Sequence, residues 1–596
     1  MGHRFQVWAP KVKEISVSIA DTIYPMQQAE GGWWQADVAD ARAGTDYAFL
    51  IGDMEPAIPD PRSAWQPYGV HGPSRIVDHT SFAWTDAQWQ APPLSSAILY
   101  ELHIGTFTPE GTFDAAQQHL AYLKDLGITH IELMPVNAFP GGHGWGYDGV
   151  DLFAPYEPYG GPEALKRFID ACHEHGLAVL LDVVYNHLGP SGNYLGKFAP
   201  YFTHMHNTPW GDAVNLEDAG SHEVRRFFCD NALMWLRDYH FDGLRLDAVH
   251  AYMDRSAINF MEQLTKEVRA LEAEAGKSYV VIAESDLNDP RLVTSSEAGG
   301  YGMDAQWSDD FHHALVTMLT SDRSGYYSDF GSIADLAKSL MSVFVYDGIY
   351  SPHRDRIHGR PVQDLPAWRF LGYAQNHDQI GNRAKGERLS HLANAGRVKI
   401  AAALVFIAPF VPMIFQGEEW AASSPFQYFT DHEDKELGSL VSEGRKREFA
   451  AFGWSPADIP DPQDEQTFLR SKLNWQEQAE PPHSEMLRWY KQLIALRKSH
   501  PQLTNGSLED TQVEYSEEEK WLVLRRQNIQ LVINLGSSTW QHRLHQKAEI
   551  LLTSNTATTI REATLSLPTD TIAIVERQKT DGNQAYGLLA GEERRQ

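Results

Sequence analysis

Eight short apolar stretches that alternate with helical stretches occupy the middle of this 596-residue chain. Between them, apolar residues recur at helical spacing, as Leu165, Phe168, Ile169 and Cys172 do within 162–175. Eight strands that alternate with helices predict an α/β fold, a (β/α)8 TIM barrel. The predicted strands span residues 98–104, 130–135, 178–185, 243–249, 280–284, 303–307, 371–375 and 411–415.

Two regions of different character flank the predicted barrel, which spans 91–500. Residues 1–90 contain short alternating stretches with turn residues between them, which predicts an N-terminal β-sandwich domain. Residues 501–596 are strand-like again and predict a C-terminal β-domain. Two long insertions, 188–220 and 418–482, follow the third and eighth strands. Because insertions at strand C-termini build the cleft of a barrel, their length predicts an extended ligand.

Charge and composition exclude several classes of function. The net charge of −29 argues against nucleic acid or an anionic membrane as a partner and suits a neutral substrate such as a glucan. The longest apolar run, 400–415, contains two prolines and is shorter than the roughly 20 residues that a membrane span needs. The start of the chain has no apolar core of signal-peptide length, and Cys172 and Cys229 are the two cysteines. We expect a cytoplasmic protein with two buried free thiols, a single disulfide being the alternative.

Four of the predicted strands end in polar residues, and the C-terminal ends of barrel strands face one site. Arg245 and Asp247 lie two residues apart, so their side chains share one face of the strand. An arginine beside a carboxylate keeps it ionised, as a carboxylate nucleophile attacking a sugar carbon requires. A structural ion pair is the alternative. The four polar endings lie within residues 182–187, 245–250, 284–285 and 376–378.

The segments Asp182-Val-Val-Tyr-Asn-His, Gly243-Leu-Arg-Leu-Asp-Ala, Ile282-Ala-Glu and Asn376-His-Asp resemble the four short motifs of the α-amylase family of glycoside hydrolases. The resemblance implies a retaining mechanism. Asp247 would be the nucleophile, aided by Arg245, and Glu284 the general acid and base. Asp378 would be the third catalytic carboxylate. Such a mechanism needs two carboxyl groups about 5 to 5.5 Å apart and a raised pKa at Glu284.

The same resemblance implies the residues that bind the sugar. His187 and His377 would donate hydrogen bonds to hydroxyls of one ring, and Asp182 would hold this network at the substrate. Tyr147 would stack on the sugar at the cleavage point, and Trp210 would line a neighbouring subsite. Each has a structural alternative: an anchoring role for Asp182, satisfied strand-end histidines, and aromatic residues that only pack.

Within the family, four stretches are most similar to members that act on glucans ending in trehalose. This similarity implies hydrolysis of the α-1,4 bond that joins a maltooligosaccharide to trehalose, after a maltooligosyltrehalose synthase has made that end. His250 and Ala251 stand where many amylases have Lys-His, which predicts an altered leaving-group pocket. The stretches are residues 100–113, 282–291, 428–434 and 444–449.

Other readings of the resemblance stay open. A branching enzyme or a debranching enzyme would share the motifs, and a catalytically silent glucan-binding protein would share the barrel. Some family members bind calcium at the position of Asn186, but recognisable partner carboxylates are missing from the sequence. We therefore expect no metal and no other cofactor.

Overall fold

Eight parallel strands close into a barrel in chain order. The computed structural model describes residues 2–54, 56–451, 454–544 and 546–578. All eight predicted strands are present, and the predicted TIM barrel is confirmed. The barrel strands are Leu99–Leu102, His130–Leu133, Ala178–Val183, Gly243–Leu246, Val280–Ala283, Ala305–Trp307, Phe370–Gly372 and Val411–Phe415.

Helices pack around the outside of the barrel, and the helix Gly161–Glu174 shows how an apolar stripe achieves this. Gly161–Glu174 has a proline in its first turn, where the missing N–H costs nothing, and buries Leu165, Phe168 and Ile169. The helices of this region are Ile104–Phe107, Phe113–Gln117, Leu120–Leu126, Gly161–Glu174, Leu195–Phe198, Ser221–Asp238, Phe260–Ala275, Asp309–Thr320, Ile333–Ser342, His377–Gly381, Leu389–Leu392, Ala395–Ile407, Lys435–Ala451, Glu465–Arg470 and His483–Ser499.

The barrel strands are buried throughout, but they carry several polar side chains. Glu101 on the first strand pairs in register with Glu132 on the second. Asp182 on the third strand pairs with Arg245 on the fourth. All four residues are 2% exposed or less. Because buried charges are retained only where they are paired or neutralised, these positions mark a polar network inside the barrel.

The N-terminal region forms two antiparallel sheets whose facing sides bury Phe5, Val7, Val17 and Phe49. The predicted strand-rich N-terminal domain is therefore confirmed, while its boundary at residue 90 stays a prediction. One sheet contains His3–Trp8, Trp33–Val38 and Gln27–Gln28; the other contains Thr22–Pro25, Ile15–Ile19, Asp46–Ile51 and Ser74–Arg75.

A second strand-rich region follows the barrel. Its two sheets confirm the predicted C-terminal β-domain; its boundary at residue 501 stays a prediction, and 579–596 lie outside the described residues. The larger sheet contains Thr511–Ser516, Trp521–Arg526, Ile529–Asn534, Thr571–Arg577 and Ala548–Thr553; the smaller contains Trp540–Arg543, Thr564–Leu567 and Thr559–Arg561.

The insertions at the C-terminal ends of the strands hold structure of their own. The insertion after the third strand contains the hairpin Phe202–Thr208 and Gly211–Val214, and the insertion after the eighth contains the helix Lys435–Ala451. Shorter hairpins follow the second strand, Asn137–Ala138 with Asp151–Pro155, and the sixth, Asp347–Ser351 with Arg356–Gly359.

Two further predictions concern the cysteines and the membrane. Cys172 and Cys229 are both buried and unpaired, so the predicted free thiols are confirmed. Within the part of the chain that the structure describes, every helix is too short or too polar to span a bilayer.

Candidate active site

A cavity of about 640 Å³ opens among the loops that follow the barrel strands. Eight of the ten predicted site residues line it: Tyr147, His187, Trp210, Asp247, His250, Glu284, His377 and Asp378. Asp182 and Arg245 lie beneath it. The strand endings that were separate in the sequence therefore meet at one site.

Arg245 organises the floor of the site. Its Nη1 donates to Asp247 Oδ1 at 2.8 Å and to both oxygens of Asp182 at 2.8 Å. Its guanidinium is fully buried and lies 4.2 Å from the centre of the Trp307 ring. Burial opposes the charge, but Asp182, Tyr147 and the catalytic carboxyls raise the pKa of Arg245. The arginine is therefore a fixed cation that holds Asp247 at the cavity.

The surroundings of Glu284 favour its protonated form. Its Oε2 accepts the backbone N–H of Ala248 at 2.5 Å and lies 3.5 Å from Arg245 Nη2. Burial, with Asp247 and Asp378 adding to it and Arg245 opposing it, raises the pKa of Glu284 to about 8. The predicted raised pKa is confirmed. At neutral pH this carboxyl is protonated and can act as an acid.

The backbone after Asp247 adopts an uncommon conformation. Ala248 has φ 40° and ψ 51°, in the left-handed region that residues with a Cβ rarely occupy. This conformation lets the Ala248 N–H reach Glu284 while Asp247 stays on Arg245. Ala248 therefore links Glu284, through its own N–H, to the strand end that carries Asp247.

A line of hydrogen bonds runs through Tyr147. Its hydroxyl donates to Asp182 Oδ2 at 2.6 Å and lies 2.8 Å from His377 Nε2. Burial opposes protonation of His377, but Glu101 and Asp378 raise its pKa to about 9. A protonated His377 donates from Nε2 to the Tyr147 oxygen. The two rings also stack, with centroids 5.2 Å apart.

Glu101 is a site residue that the sequence analysis missed. Its Oε1 accepts from His377 Nδ1, and its Oε2 accepts from the His377 backbone N–H at 3.0 Å. The one available signal was a charged residue inside an apolar strand. Its register partner Glu132 has no hydrogen-bond partner on either oxygen, and burial together with Glu101 raises the pKa of Glu132 well above its usual range.

Asp378 is the most exposed of the three carboxyl groups predicted to be catalytic. It lies in the first turn of the helix His377–Gly381, which Asn376 caps by accepting from the N–H groups of Asp378 and Gln379. Its side chain is 44% exposed, and its Oδ1 accepts from Asn382 Nδ2 at 3.2 Å. This carboxylate is therefore open to a ligand in the cavity.

His187 and Trp210 form one wall. Their rings stack at 4.7 Å with an angle of 8°, and Trp210 is 48% exposed at the turn of the insertion hairpin. His187 Nε2 donates to the backbone oxygen of Tyr147 at 3.0 Å. Burial lowers the pKa of His187. A neutral imidazole with an aromatic neighbour suits a neutral sugar, and both binding roles stay predictions.

Asp182 and Arg245 lie beneath the cavity rather than along its wall, and their predicted roles toward a substrate stay predictions. Their side chains are 2% and 0% exposed, and neither lines the cavity. Asp182 is fully engaged by Arg245 and Tyr147, and burial raises its pKa to about 6 although Arg245 opposes this. Asp182 contacts Tyr147 and Arg245 contacts Asp247, both of which line the cavity.

A smaller cavity of about 160 Å³ lies beside the first and shares Glu284, Asp378 and Asn382 with it. Its other polar lining residues are Asp286, Asp309, His313, Asn376, Gln379 and Arg354. Two aromatic residues, Trp307 and Tyr326, complete it. Glu284 therefore has space on two sides, as the predicted role of protonating a bond between two sugars would require.

Within the part of the chain that the structure describes, no group of three or more His, Cys, Asp or Glu side chains is arranged to hold a metal ion. Asn186 lies next to His187, with its Oδ1 3.2 Å from His187 Nδ1. The expectation of no metal stays a prediction.

Comparison with known proteins identifies the family of this chain. The family model for the alpha amylase catalytic domain matches residues 77–200. Malto-oligosyltrehalose trehalohydrolases from Rhizobium sp. and Mycobacterium tuberculosis are each 49% identical, over 89% of this chain and over 91% and 92% of theirs. The chain belongs to the malto-oligosyltrehalose trehalohydrolase family.

Two relatives with other names extend the comparison. A crystal structure from Salmonella typhimurium, described as that of an alpha amylase, superimposes with a TM-score of 0.88 at 36% identity, covering 96% of this chain and 97% of the other. A branching enzyme from Pseudoalteromonas atlantica is 30% identical over 60% of this chain. The trehalohydrolases are thus closer than this representative of the alternative activity.

Proposed function

We propose that this protein hydrolyses the α-1,4 glucosidic bond next to the terminal trehalose unit of maltooligosyltrehalose, releasing trehalose and a maltooligosaccharide. The names of the relatives support the substrate. One observation carries the chemistry: Asp247 and Glu284 share one arginine, yet Glu284 is poised to hold a proton. A nucleophile and an acid are what a retaining glycosidase needs.

In the first step, Asp247 Oδ attacks the anomeric carbon of the maltooligosyl unit. Glu284 gives its proton to the glycosidic oxygen, so the C–O bond breaks and trehalose leaves with a new hydroxyl. The product is a glycosyl ester of Asp247. Arg245 holds the nucleophile in place, and Asp378 accepts hydrogen bonds from sugar hydroxyls and offsets the positive charge of the transition state.

In the second step, the ionised Glu284 takes a proton from water. The resulting hydroxide attacks the anomeric carbon, the ester bond to Asp247 breaks, and the maltooligosaccharide leaves with its original configuration. Glu284 is again protonated. Two inversions give net retention.

We also propose a place for this reaction. The substrate must come from an enzyme that rearranges the reducing end of a maltooligosaccharide into trehalose, a maltooligosyltrehalose synthase. Two buried free thiols support a reducing compartment such as the cytoplasm.

Product analysis tests the proposal. Maltotriosyltrehalose is incubated with the protein and the products are separated by chromatography. We expect trehalose and maltotriose in equal amounts, with the α-anomer of maltotriose formed first. Asp247→Asn and Glu284→Gln are expected to lose almost all turnover. New α-1,6 bonds without trehalose would identify a branching enzyme, and unchanged turnover in both variants would rule out the mechanism.

A further inference from the structure

The helix Lys435–Ala451 brings one arginine to the wall of the active-site cavity. The guanidinium of Arg445 lies between two aromatic rings, 4.7 Å from the centroids of Tyr428 and Phe449. Its side chain is 14% exposed. An arginine stacked and largely buried in this way is held in one orientation.

Arg445 connects this helix to the segment that carries Asp378. Its Nη2 donates to the backbone oxygen of Gly381 at 2.7 Å, and its Nη1 donates to Asn382 Oδ1 at 3.1 Å and to Glu448 at 2.9 Å. Asn382 Nδ2 in turn donates to Asp378 Oδ1 at 3.2 Å. Because Arg445 occupies the amide oxygen, the amide nitrogen must face Asp378.

We propose that Asn382 and Arg445 form a positioning relay that orients Asp378 for the transition state; this inference rests on the proposed function. Asp247 is held by Arg245, but no lysine or arginine among the described residues lies within ion-pair distance of Asp378. His377 Nε2 lies 3.7 Å from Asp378 Oδ1, which is too far for a hydrogen bond. The amide therefore supplies the fixed donor that this half-exposed carboxylate needs. Asp378 Oδ1 accepts from the Asn382 amide, and Asp378 Oδ2 is left to accept hydrogen bonds from the sugar hydroxyls.

The relay gives a role to a stretch that the catalytic chemistry leaves unused. Arg445 lies in residues 444–449, within the long insertion after the eighth strand. Asp378 follows the seventh strand. The relay therefore makes the orientation of a catalytic carboxylate depend on how this insertion packs, and we class both members as positioning residues.

A double-mutant cycle tests the relay. Asn382→Ala, Arg445→Gln and the double variant are compared with the wild type for kcat and KM on maltotriosyltrehalose. Each single change is expected to lower kcat about 10- to 100-fold, as loss of a hydrogen bond to a charged group does, with KM within about twofold. The double variant should be no slower than Asn382→Ala, because both changes remove the same interaction. Arg447→Gln, exposed on the same helix, is the matched control.

A change of charge at Asn382 gives an independent readout. Asn382→Asp keeps the oxygen that Arg445 contacts but replaces the donor with a carboxylate facing Asp378. Like charges raise each other's pKa, so the acid limb of the kcat profile should move to higher pH, and kcat should fall below that of Asn382→Ala. A merely structural role would leave the limb where it is.

Several outcomes would overturn the relay. Independent losses that multiply in the double variant, or a raised KM with kcat preserved, would mean that Arg445 contacts the glucan itself. Wild-type kcat in Asn382→Ala would remove the relay outright. Circular dichroism and thermal unfolding of every variant identify a loss of fold. If the wild type releases no trehalose, the proposed function fails; the relay is then judged by the same ratios on whichever glucan product the wild type does form.

Discussion

The proton on Glu284 depends on its surroundings rather than on its own chemistry. Burial, Asp247 and Asp378 together raise its pKa to about 8, with Arg245 limiting the shift. As pH rises through this value the acid is lost, so we expect kcat/KM to fall on the basic side with a midpoint near pH 8. A pH–rate profile of the wild type measures it. A basic limb below pH 6 would contradict the assigned acid.

Glu101 makes a second prediction at the level of single residues. Glu101→Gln keeps the shape of the side chain but removes the charge that holds the His377 proton. The pKa of His377 should fall, and kcat should fall by roughly 10- to 100-fold, the range for a lost hydrogen bond to a charged group. Histidine-selective NMR and steady-state kinetics measure the two effects.

Glu132→Gln is the matched control for this experiment. Glu132 is the register partner of Glu101, but burial and Glu101 raise its pKa well above its usual range, and neither of its oxygens has a hydrogen-bond partner to lose. We expect its amide to replace it with little change in kcat. Equal losses in both variants would show that any polar change inside the barrel disturbs the site.

The predicted site residues and the missed residue Glu101 differ in where they lie relative to the barrel strands. Asp247 and Glu284 follow apolar strands directly, and Asp378 lies in the short helix after the seventh strand, so local pattern and barrel geometry together place them. Glu101 lies within a strand, 276 residues from its partner His377. Nothing in the local sequence signals so distant a contact, which exists only because the first and seventh strands reach the same end of the barrel.

Among the elements, the segment that precedes the barrel is fastened by a buried histidine. His173 lies 2.9 Å from Asp86 through Nδ1 and 3.0 Å from Asp242 through Nε2. Trp89 stacks on its ring and donates to Asp242 at 2.7 Å. This cluster attaches residues 86–89 to the helix Gly161–Glu174 and to the start of the fourth strand.

The cluster predicts how stability changes with pH. Burial lowers the pKa of His173, but Asp242 and Asp86 outweigh it and leave this pKa raised above 6.5. A raised folded pKa stabilises fully below about pH 6.5, and this contribution disappears as pH rises through the folded value. Burial raises the pKa of Asp86, but His173 and His240 outweigh it and lower this pKa, so its contribution is lost only as pH falls below its usual range.

We therefore expect His173→Gln to lose the decline in stability above pH 6.5. The substitution should also destabilise the fold by about 1–3 kcal/mol near neutral pH, because it removes the charged hydrogen bonds of His173 while His240 stays on Asp86 and Trp89 on Asp242. Calorimetric unfolding between pH 5 and 9 compares it with the wild type. The same slope in both proteins would show that other groups set the pH dependence.

For the two long insertions, the sequence predicted a cleft but not the elements that form it. Their length and their position after the third and eighth strands predicted a cleft, and Trp210 from one and Arg445 from the other do line it. The hairpin and the helix inside them were not predicted, because their conformation depends on packing against distant loops rather than on a clear local period.

At the scale of the whole molecule, two buried arginines lie where the C-terminal domain meets the barrel. Arg497, in the last barrel helix, donates to the backbone oxygens of Phe406, Ala408 and Phe410. Arg526, on a strand of the C-terminal domain, donates to the same Ala408 oxygen at 3.1 Å. Both satisfy carbonyl groups at the end of a helix, which otherwise have no partner.

We expect Arg526→Met to lower the free energy of unfolding by about 1–3 kcal/mol, the cost of leaving buried carbonyls unsatisfied. It should also increase proteolysis near residue 501 while kcat stays unchanged, since the contact is remote from the cavity. Arg525→Met is the control, because Arg525 pairs with a Glu514 side chain that is 57% exposed. Equal destabilisation in both variants would argue against the carbonyl contact.

Cys172 and Cys229 can report how often two helices leave the barrel wall. Each thiol is at most 1% exposed, on one of two helices packed against the barrel wall. A thiol reagent can reach them only when those helices detach from the strands. The rate at which such a reagent modifies each cysteine therefore measures how often each of the two helices detaches from the barrel. No engineered label is needed.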